Sequence, residues 1–324
     1  MGILIRKPGI LSTVQDLGRI GYRRLGINPN GVMDTNAVRL INILLGNEEN
    51  AAVIEMHFPA AEIEFEHDAM FAVGGADFGV RLNGETFSNW RVHRAAKGSS
   101  LNFQNKLRGE RAYLAIGGGF FVENWLGSSS TNMNAKIGGM NGRKLETGDR
   151  IGLASDQTRP EMLVNKEISP SLISRNSRFP TVRVIKGGEF DLLNEESRDI
   201  FEISTFQISN NSNRMGYRLN GEPLALSKPT EMLSSAANFG TIQLLPNGQL
   251  IILMADHQTT GGYPRIAHVI SYDLPLLAQV GANDKVAFHL IDVTEAERIT
   301  TSFHRDLNFL KTGVRLCSRN ISVE

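Results

Sequence analysis

Cysteine is almost missing from this sequence of 324 residues, which contains Cys317 alone. A single thiol excludes an intramolecular disulfide and a cysteine-based metal cage, and it suits a reducing compartment. The seven histidines are scattered without ligand spacing and no His-Glu-x-x-His segment occurs, so we expect no metal site. No stretch approaches the roughly 20 apolar residues of a membrane helix, and the first apolar run is too short for a signal peptide. The sequence therefore predicts a cytoplasmic protein without a membrane partner.

The chain also lacks an excess of charge of either sign: 34 Lys and Arg residues balance 34 Asp and Glu residues, so the net charge is zero. This balance argues against nucleic acid as the main partner. The sequence lacks the Gly-x-x-x-x-Gly-Lys-Ser/Thr segment of P-loop nucleotide sites and the Gly-x-Ser-x-Gly elbow of many hydrolases. What remains is a globular chain with 41% hydrophobic residues, long enough for about two domains.

Short apolar segments bounded by turn residues dominate the sequence and predict a mainly β protein. Asn83-Gly84 and Asn247-Gly248 are dipeptides that favour tight hairpin turns. The predicted strands of the first half lie at residues 3–5, 53–56, 61–65, 70–73, 80–82, 113–116 and 150–153. A helix is expected after Asp34, where apolar residues recur at helical spacing up to Gly46.

An internal repeat suggests duplication of a β unit. The heptad Gly-Val-Arg-Leu-Asn-Gly-Glu at 79–85 recurs as Gly-Tyr-Arg-Leu-Asn-Gly-Glu at 216–222, and residues 148–151 resemble residues 283–286. The two heptads are 137 residues apart (216 − 79 = 137), and the same offset carries residues 113–116 onto 250–253. We therefore expect Arg81 and Arg218 at equivalent places. The predicted organisation is a first β unit at 1–160, a linker at 161–180, a second β unit at 181–295 and a C-terminal extension at 296–324.

Residues 13–34 form a polar stretch rich in turn formers, for which we predict an ordered surface loop. Loops of this kind carry binding residues, and Asp16, Arg19 and Asp34 are candidates for substrate binding. The alternatives are structural. Asp34 would cap the following helix, and Asp16 would pair locally with Arg19.

The stretch 251–265 presents the clearest candidate chemistry. An apolar run typical of a buried strand ends at Asp256 and His257, which become candidate catalytic residues, since a histidine exchanges protons near neutral pH. Gly261 and Gly262 would let backbone amides approach an anion, and Tyr263 follows them. The alternative is a turn in which Asp256 caps loop amides and His257 bonds to the loop backbone.

Arg214 and Arg218 have an even spacing, which in a strand places both side chains on one face. Such a pair could hold a carboxylate or a phosphate. The alternative is a pair of arginines on the solvent face of an edge strand.

Several segments together resemble the biotin-dependent carboxyltransferase family, also called the KipA or allophanate hydrolase subunit 2 family. The resemblance covers about residues 3 to 291. The segments are Thr13-Val14-Gln15-Asp16-Leu17-Gly18-Arg19, Gly21-Tyr22, Gly31-Val32-Met33-Asp34, Ser212-Asn213-Arg214-Met215-Gly216, Arg218-Leu219-x-Gly221, Gly240-Thr241-Ile242-Gln243 and Thr260-Gly261-Gly262-Tyr263-Pro264.

The resemblance implies two tandem cyclophilin-like β barrels with a few short helices, and it adds Gln243 to the substrate-binding candidates. It implies a KipI-like partner subunit and, in 5-oxoprolinase, whose C subunit belongs to this family, a third LamB/YcsF-like subunit. That complex uses ATP to open 5-oxo-L-proline to L-glutamate. Phosphorylation of the lactam carbonyl oxygen would prepare its carbon for attack by water. ATP would be bound by a partner subunit or shared with it.

Two alternatives to a 5-oxoprolinase subunit stay open. One is a biotin-dependent carboxyltransferase acting on urea or a related amide. However, Ser234-Ser235 stands where many members have Ser-Glu, and the chain lacks the Met-Lys pair of a biotin carrier, so biotin is not expected on it. The other is a non-catalytic regulator of the KipA type that binds a KipI-like partner.

Overall fold

The computed structural model describes residues 2–154, 163–228, 230 and 232–319. The chain forms two compact units. The first unit comprises Met1–Arg19, Asp34–Ser174 and Phe303–Glu324, and the second unit comprises Ile20–Met33 and Arg175–Ser302.

These bounds differ from the predicted ones at the N-terminal loop. Residues 20–33 group with the second unit because Met33 is fully buried in that unit's core and the carbonyl of Gly31 accepts a hydrogen bond from Arg214. The loop sequence has no hydrophobic periodicity from which these contacts could be predicted. Residues 163–174, expected as part of a linker, belong to the first unit.

The first unit contains a seven-stranded and a five-stranded sheet. The strands are β1 (Gly2–Lys7), β2 (Ser12–Gln15), β3 (Val53–Met56), β4 (Glu62–Phe65), β5 (Ala69–Asp77), β6 (Val80–Leu82), β7 (Glu85–Thr86), β8 (His93–Ala95), β9 (Ser100–Phe103), β10 (Arg108–Ile116), β11 (Phe120–Phe121) and β12 (Arg150–Leu153). The strand orders are β11-β12-β1-β4-β9-β6-β7 and β2-β3-β10-β5-β8. Buried side chains from both sheets form one hydrophobic core. The first unit is thus built from two sheets, where the resemblance implied a barrel.

Strand β2 corrects the prediction of a surface loop over residues 13–34. Its four residues are all buried, although Thr13 and Gln15 are polar. Pairing with β3 places Thr13 opposite Glu55, and the backbone N–H of Thr131 bonds to Val14. A polar strand covered on its second face lacks the alternation by which strands are recognised in a sequence.

Helix α1 (Thr35–Leu44) begins and ends where the sequence predicts. The Asp34 side chain accepts a hydrogen bond of 2.9 Å from the backbone N–H of Ala37, so Asp34 is the N-cap. Gly46 follows the helix with φ +69°. The apolar stripe of the helix is buried, and this burial fixes the helix against β5 and β10.

The second unit is a closed β barrel with strand order β13-β20-β17-β18-β15-β14-β21. Its strands are β13 (Thr181–Lys186), β14 (Thr205–Ile208), β15 (Gly216–Asn220), β16 (Ser235–Ala236), β17 (Thr241–Leu244), β18 (Leu250–Leu253), β19 (Thr260–Gly261), β20 (Arg265–Val269) and β21 (Lys285–Leu290). Strands β16 and β19 form a separate two-stranded sheet. The prediction of a mainly β chain is confirmed.

Three further helices are α2 (Glu195–Ile203), α3 (Leu274–Ala278) and α4 (Val293–Arg319). Helix α2 begins after Asn194, whose side chain accepts a hydrogen bond of 2.8 Å from the backbone N–H of Ser197. Helix α4 has 27 residues and is longer than α1, α2 and α3. Its residues Phe303 and Leu307 are buried, and Lys311 forms an ion pair with Glu49. Within the described residues, no helix has the length and apolar character needed to cross a membrane.

The repeated heptads occupy non-equivalent strands, which corrects the prediction of a duplicated segment at this place. In the second unit, β15 pairs with β18 and Arg218 lies opposite Ile251. In the first unit, β6 pairs with β9 and Arg81 lies opposite Asn102, whereas β10 pairs with β3 and β5. Asn-Gly is a common turn dipeptide, so the similarity of the heptads reflects local turn chemistry at 83–84 and does not mark equivalent strands.

The match between residues 148–151 and 283–286 does correspond to one local structure. Gly148 and Asn283 have φ values of +94° and +70°. The next residue in each turn, Asp149 or Asp284, accepts a hydrogen bond at 2.8 or 2.9 Å from the backbone N–H three residues earlier. Each aspartate leads into a strand, β12 or β21.

Candidate functional site

A cleft of about 480 Å³ lies on the barrel of the second unit. Amide side chains, apolar side chains, one arginine and one tyrosine line it. The lining residues are Asn211, Asn213, Met215, Gly216, Arg218, Gln243, Leu245, Pro246, Asn247, Ile251, Leu253, Gln258 and Tyr263.

A single row of residues across three strands forms the floor of the cleft. Ile251 of β18 lies opposite Arg218 of β15 on one side and opposite Gln243 of β17 on the other. Their neighbours Tyr217 and Ile252 belong to the barrel core. Because successive side chains of a strand point to opposite faces, Arg218, Ile251 and Gln243 point away from that core and into the cleft.

Gln243 is buried although it points outward, with 1% of its surface exposed. The chain before and within β19 covers it: a Cβ atom added to Gly261 would lie 2.8 Å from Gln243 Nε2 and 3.3 Å from the amide nitrogen of Gln258. Within the described residues, Gln243 Nε2 has no hydrogen-bond partner. A buried donor without an acceptor costs stability, so this amide is available to a bound molecule.

The charge of the cleft comes from Arg218. Among the described residues, the lining contains no carboxylate and Arg218 makes no ion pair. Asn211, Asn213 and Gln258 add amide groups. An anion with further hydrogen-bonding groups would therefore meet a cation and several amide donors here.

Tyr263 lines the same cleft and is 44% exposed. Gly262 lies beside the loop before β16, where an added Cβ would be 3.3 Å from Ser234 Oγ. The predicted substrate-binding residues Arg218, Gln243 and Tyr263 are thus brought together, with Gly261 against the Gln243 amide.

Asp256 and Arg214 form a nearly buried ion pair. Arg214 Nε donates to Asp256 Oδ2 at 2.9 Å and Nη2 donates to Oδ1 at 3.0 Å. Arg214 Nη2 also donates to the carbonyl of Gly31 at 2.5 Å, and the Asn30 amide donates to Asp256 Oδ1 at 2.8 Å. The Asn28 amide reaches the backbone oxygen of Asp256 at 3.2 Å. The pair therefore fastens the loop at 28–31 to the end of β18.

His257 is 2% exposed, and its Nδ1 lies 2.6 Å from the carbonyl oxygen of Gln258. This contact requires a proton on Nδ1, because a carbonyl oxygen only accepts. Burial is the main cause that lowers the pKa of His257, and the positive charge of Arg23 lowers it further. The side chain is therefore neutral at neutral pH and orients the backbone next to Gln258, a lining residue of the cleft.

In the first unit, the Asp16 carboxylate accepts four hydrogen bonds. The donors are the backbone N–H groups of Gly18 at 2.8 Å and Ser129 at 2.6 Å, and the hydroxyls of Ser128 and Ser130 at 2.6 Å each. Asp16 is thus the organising centre of the serine loop at 128–130.

Arg19 is fully buried in the first unit, where its guanidinium lies 5.1 Å from the ring centre of Trp125 and donates to the Ser130 carbonyl. Asp34 caps α1. Roles of Asp16, Arg19 and Asp34 in substrate binding, and catalytic roles of Asp256 and His257, stay predictions.

Sequence reasoning missed the amide-bearing residues Asn211, Asn213, Asn247 and Gln258 of the cleft. Their clustering depends on strand pairing, which no local pattern displays. A signal did exist for Gln258, because a polar residue directly after Asp256 and His257 extends the stretch already identified as functional.

Comparisons with known proteins agree with this architecture. The family model described as carboxyltransferase domain, subdomain A and B, matches residues 25–290. The C subunit of 5-oxoprolinase from Haemophilus influenzae is 39% identical over 289 residues, which are 89% of this chain and 91% of that protein. The corresponding C subunit from Escherichia coli is 37% identical over 90% of this chain and 92% of that protein.

Among solved structures, the urea carboxylase of Kluyveromyces lactis superposes with a TM-score of 0.86 at 26% identity. It covers 97% of this chain, which corresponds to 29% of the length of that enzyme. The urea amidolyase of the same yeast gives a TM-score of 0.86 over 95% of this chain and 20% of its own length.

Proposed function

Since the chain belongs to the family of the carboxyltransferase domain, subdomain A and B, we propose that it is the C subunit of an ATP-dependent 5-oxoprolinase. The observation that carries this proposal is the similarity to two proteins named as the C subunit of 5-oxoprolinase, at 37% and 39% identity over about nine tenths of every chain compared. Both relatives are separate polypeptides of nearly the same length as the matched region.

The cleft supports the proposal chemically. 5-Oxo-L-proline is a small anion that carries a carboxylate and a cyclic amide. Arg218 offers a positive charge to the carboxylate, and Gln243 offers to the lactam an amide nitrogen that has no partner among the described residues. The apolar side chains of Ile251 and Leu253 offer contact to the methylene edge of the ring.

Opening the lactam requires activation of a resonance-stabilised carbonyl. In the proposed reaction, the lactam oxygen attacks the γ-phosphorus of ATP and ADP leaves. Water adds to the activated carbon, and the ring C–N bond breaks with protonation of nitrogen. A second water then releases phosphate from the carbonyl carbon, which becomes the new carboxylate. This chain would bind and orient the lactam, since fixed geometry removes much of the entropic barrier.

The proposed enzyme contains partner subunits beside this chain. A KipI-like protein and a LamB/YcsF-like protein complete the enzyme, and ATP is bound by a partner or shared with it, because this sequence lacks a P-loop. Biotin is not expected on this chain. A cytoplasmic location follows from the use of ATP and suits the single cysteine.

A biotin-dependent carboxyltransferase acting on urea is the second candidate. The superposition on urea carboxylase with a TM-score of 0.86 favours it. Against it stand the lower identity of 26% and the Ser234-Ser235 pair, which removes an acidic residue found in many family members.

The test is reconstitution. The chain is purified alone and with the KipI-like and LamB/YcsF-like proteins encoded in the same genome, and glutamate and ADP are measured with 5-oxo-L-proline and ATP. We expect turnover by the complex and none by the chain alone. Turnover by the chain alone contradicts the proposal that it is one subunit of several. A stable complex that is inactive on 5-oxoproline would favour the KipA-type regulator, and urea-dependent consumption of carboxybiotin would favour the transferase.

A further inference from the structure

We propose that the Gln243 carboxamide is the specificity-determining group of the cleft and that it recognises the edge of a cis-amide, in which N–H and C=O point the same way. The ligand class is a small carboxylate that carries a cyclic amide. The choice of 5-oxo-L-proline within that class rests on the proposed function.

The first support is the state of the amide nitrogen. Gln243 is 1% exposed and its Nε2 has no hydrogen-bond partner among the described residues. Most buried donors in folded proteins are paired, because a buried donor without an acceptor destabilises the fold. An amide that is buried, unpaired and directed into a cleft is therefore explained by a ligand that completes it.

The second support is the geometry of a carboxamide. A primary amide carries a donor and an acceptor on one edge, and a lactam carries an acceptor and a donor on its own edge. The two edges form two parallel hydrogen bonds. The pairing holds for either orientation of the Gln243 amide, whose oxygen and nitrogen are nearly indistinguishable in shape. A trans-amide, an ester or an amine cannot form both bonds.

The third support is the placement of Arg218. It lies in the same cross-strand row as Gln243, with Ile251 between them. Adjacent strands are about 4.8 Å apart, so the two backbones are separated by roughly 10 Å. The inclined side chains of Arg218 and Gln243, together with a five-membered ring that carries a carboxylate, fill this interval. One ligand bound above Ile251 can therefore reach both residues.

The fourth support is the neighbouring glycine. A Cβ atom at position 261 would lie 2.8 Å from Gln243 Nε2, closer than such contacts occur, and 3.3 Å from Gln258 Nε2. Gly261 therefore leaves the amide free to turn toward a ligand.

The test is a binding measurement on the full chain by isothermal titration calorimetry. Four probes separate the groups: 5-oxo-L-proline, its N-methyl derivative without the N–H, L-proline without the carbonyl, and 2-pyrrolidinone without the carboxylate. We expect binding of 5-oxo-L-proline, with about tenfold or greater loss of affinity for each of the other three, as one lost hydrogen bond or ion pair predicts.

Variants assign the effect to residues. Gln243→Leu should weaken 5-oxo-L-proline binding by about tenfold or more and leave the weak binding of L-proline unchanged. Gln243→Glu, which keeps an acceptor and loses the donor, should lose at least as much. Arg218→Gln should abolish the preference for 5-oxo-L-proline over 2-pyrrolidinone.

The matched controls are Gln207→Leu on β14 and Arg81→Gln on β6, neither of which lines the cleft. Circular dichroism of every variant establishes that it is folded.

Two results would overturn the inference: absence of 5-oxo-L-proline binding by the folded chain, and equal affinity of the wild type and both Gln243 variants. These results are distinct from failure of the proposed function. A reconstituted enzyme that remains fully active as Gln243→Leu removes the inference and leaves the function. Gln243-dependent binding of cyclic amides by a chain whose complex does not turn over 5-oxoproline retains the inference and removes the function.

Discussion

Arg214 binds Asp256 through two hydrogen bonds of 2.9 and 3.0 Å, with 8% and 14% of their side chains exposed. Removing one member of a buried pair leaves the other charge uncompensated, which costs about 3–5 kcal/mol. Because both side chains retain some solvent contact, we expect Asp256→Ala to lower the free energy of unfolding by roughly 3 kcal/mol. Urea denaturation of the isolated chain measures this change.

The exposed pair Arg91 and Glu167 provides the control. Their ion pair of 2.6 Å lies between side chains that are 37% and 58% exposed, and Glu167→Ala should change stability by less than about 1 kcal/mol. If Asp256→Ala is as stable as Glu167→Ala yet lowers turnover of the complex about a hundredfold, Asp256 acts in catalysis and not as a fastening of the loop.

His257 makes the stability of the second unit depend on pH. Burial lowers its pKa in the folded chain, whereas the unfolded chain has a histidine pKa of about 6.5. The unfolded state therefore binds more protons below this value, so folding stability rises with pH through this window and falls on acidification below about 6.5. Measurement of unfolding by urea at several pH values should show this loss.

His257→Gln should flatten that dependence, because glutamine does not titrate. Burial also lowers the pKa values of His93 and His268, so part of the slope persists in the variant. A slope that is identical in the wild type and His257→Gln would contradict the neutral, buried state of this histidine.

Asp16 should behave as a structural carboxylate. Asp16→Ala removes the acceptor of four hydrogen bonds, and the donors Ser128 and Ser130 are left buried. Each unsatisfied group costs about 1–3 kcal/mol, so we expect a loss of roughly 3 kcal/mol in thermal or urea unfolding. Asp199→Ala, at a position of α2 that keeps solvent contact, should be neutral. A fall in turnover beyond the folded fraction would support the predicted role of Asp16 in substrate binding.

Much of the fold could be predicted from local patterns. Strands β3 and β12 lie where their apolar residues indicated, and Asp34 caps α1 as its position before an apolar stripe required. The turns at 148 and 283 were visible as similar tetrapeptides because each needs a residue with positive φ followed by an aspartate. In these cases the physical cause is contained within a few residues of sequence.

The site depends on contacts that are distant in sequence. Arg218 and Gln243 are 25 positions apart (243 − 218 = 25), and only the pairing of both strands with Ile251 brings them into one row. Asp256 was predicted as a catalytic candidate from its place after an apolar run, but its sequence neighbours do not reveal that Arg214 and the loop at 28–31 hold it in place. Alternation within one strand predicts a face, whereas register between strands selects the residues that share a cleft.

Gly261 and Gly262 provide a matched pair of positions for testing the cleft. In Gly261→Ala the new methyl group would lie 2.8 Å from Gln243 Nε2, so the amide must move; since this is the end of a flexible side chain, the cost in stability should be below about 1 kcal/mol. Binding of 5-oxo-L-proline should nevertheless fall by about tenfold or more, because the displaced amide no longer offers its edge.

In Gly262→Ala the methyl group would meet Ser234 Oγ at 3.3 Å and would not approach Gln243, so affinity should stay near that of the wild type. Calorimetric titration of both variants, with thermal unfolding measured in parallel, distinguishes an effect on the amide from a general disturbance of β19. Equal loss of affinity in the two variants would mean that the loop as a whole, and not the freedom of Gln243, controls the cleft.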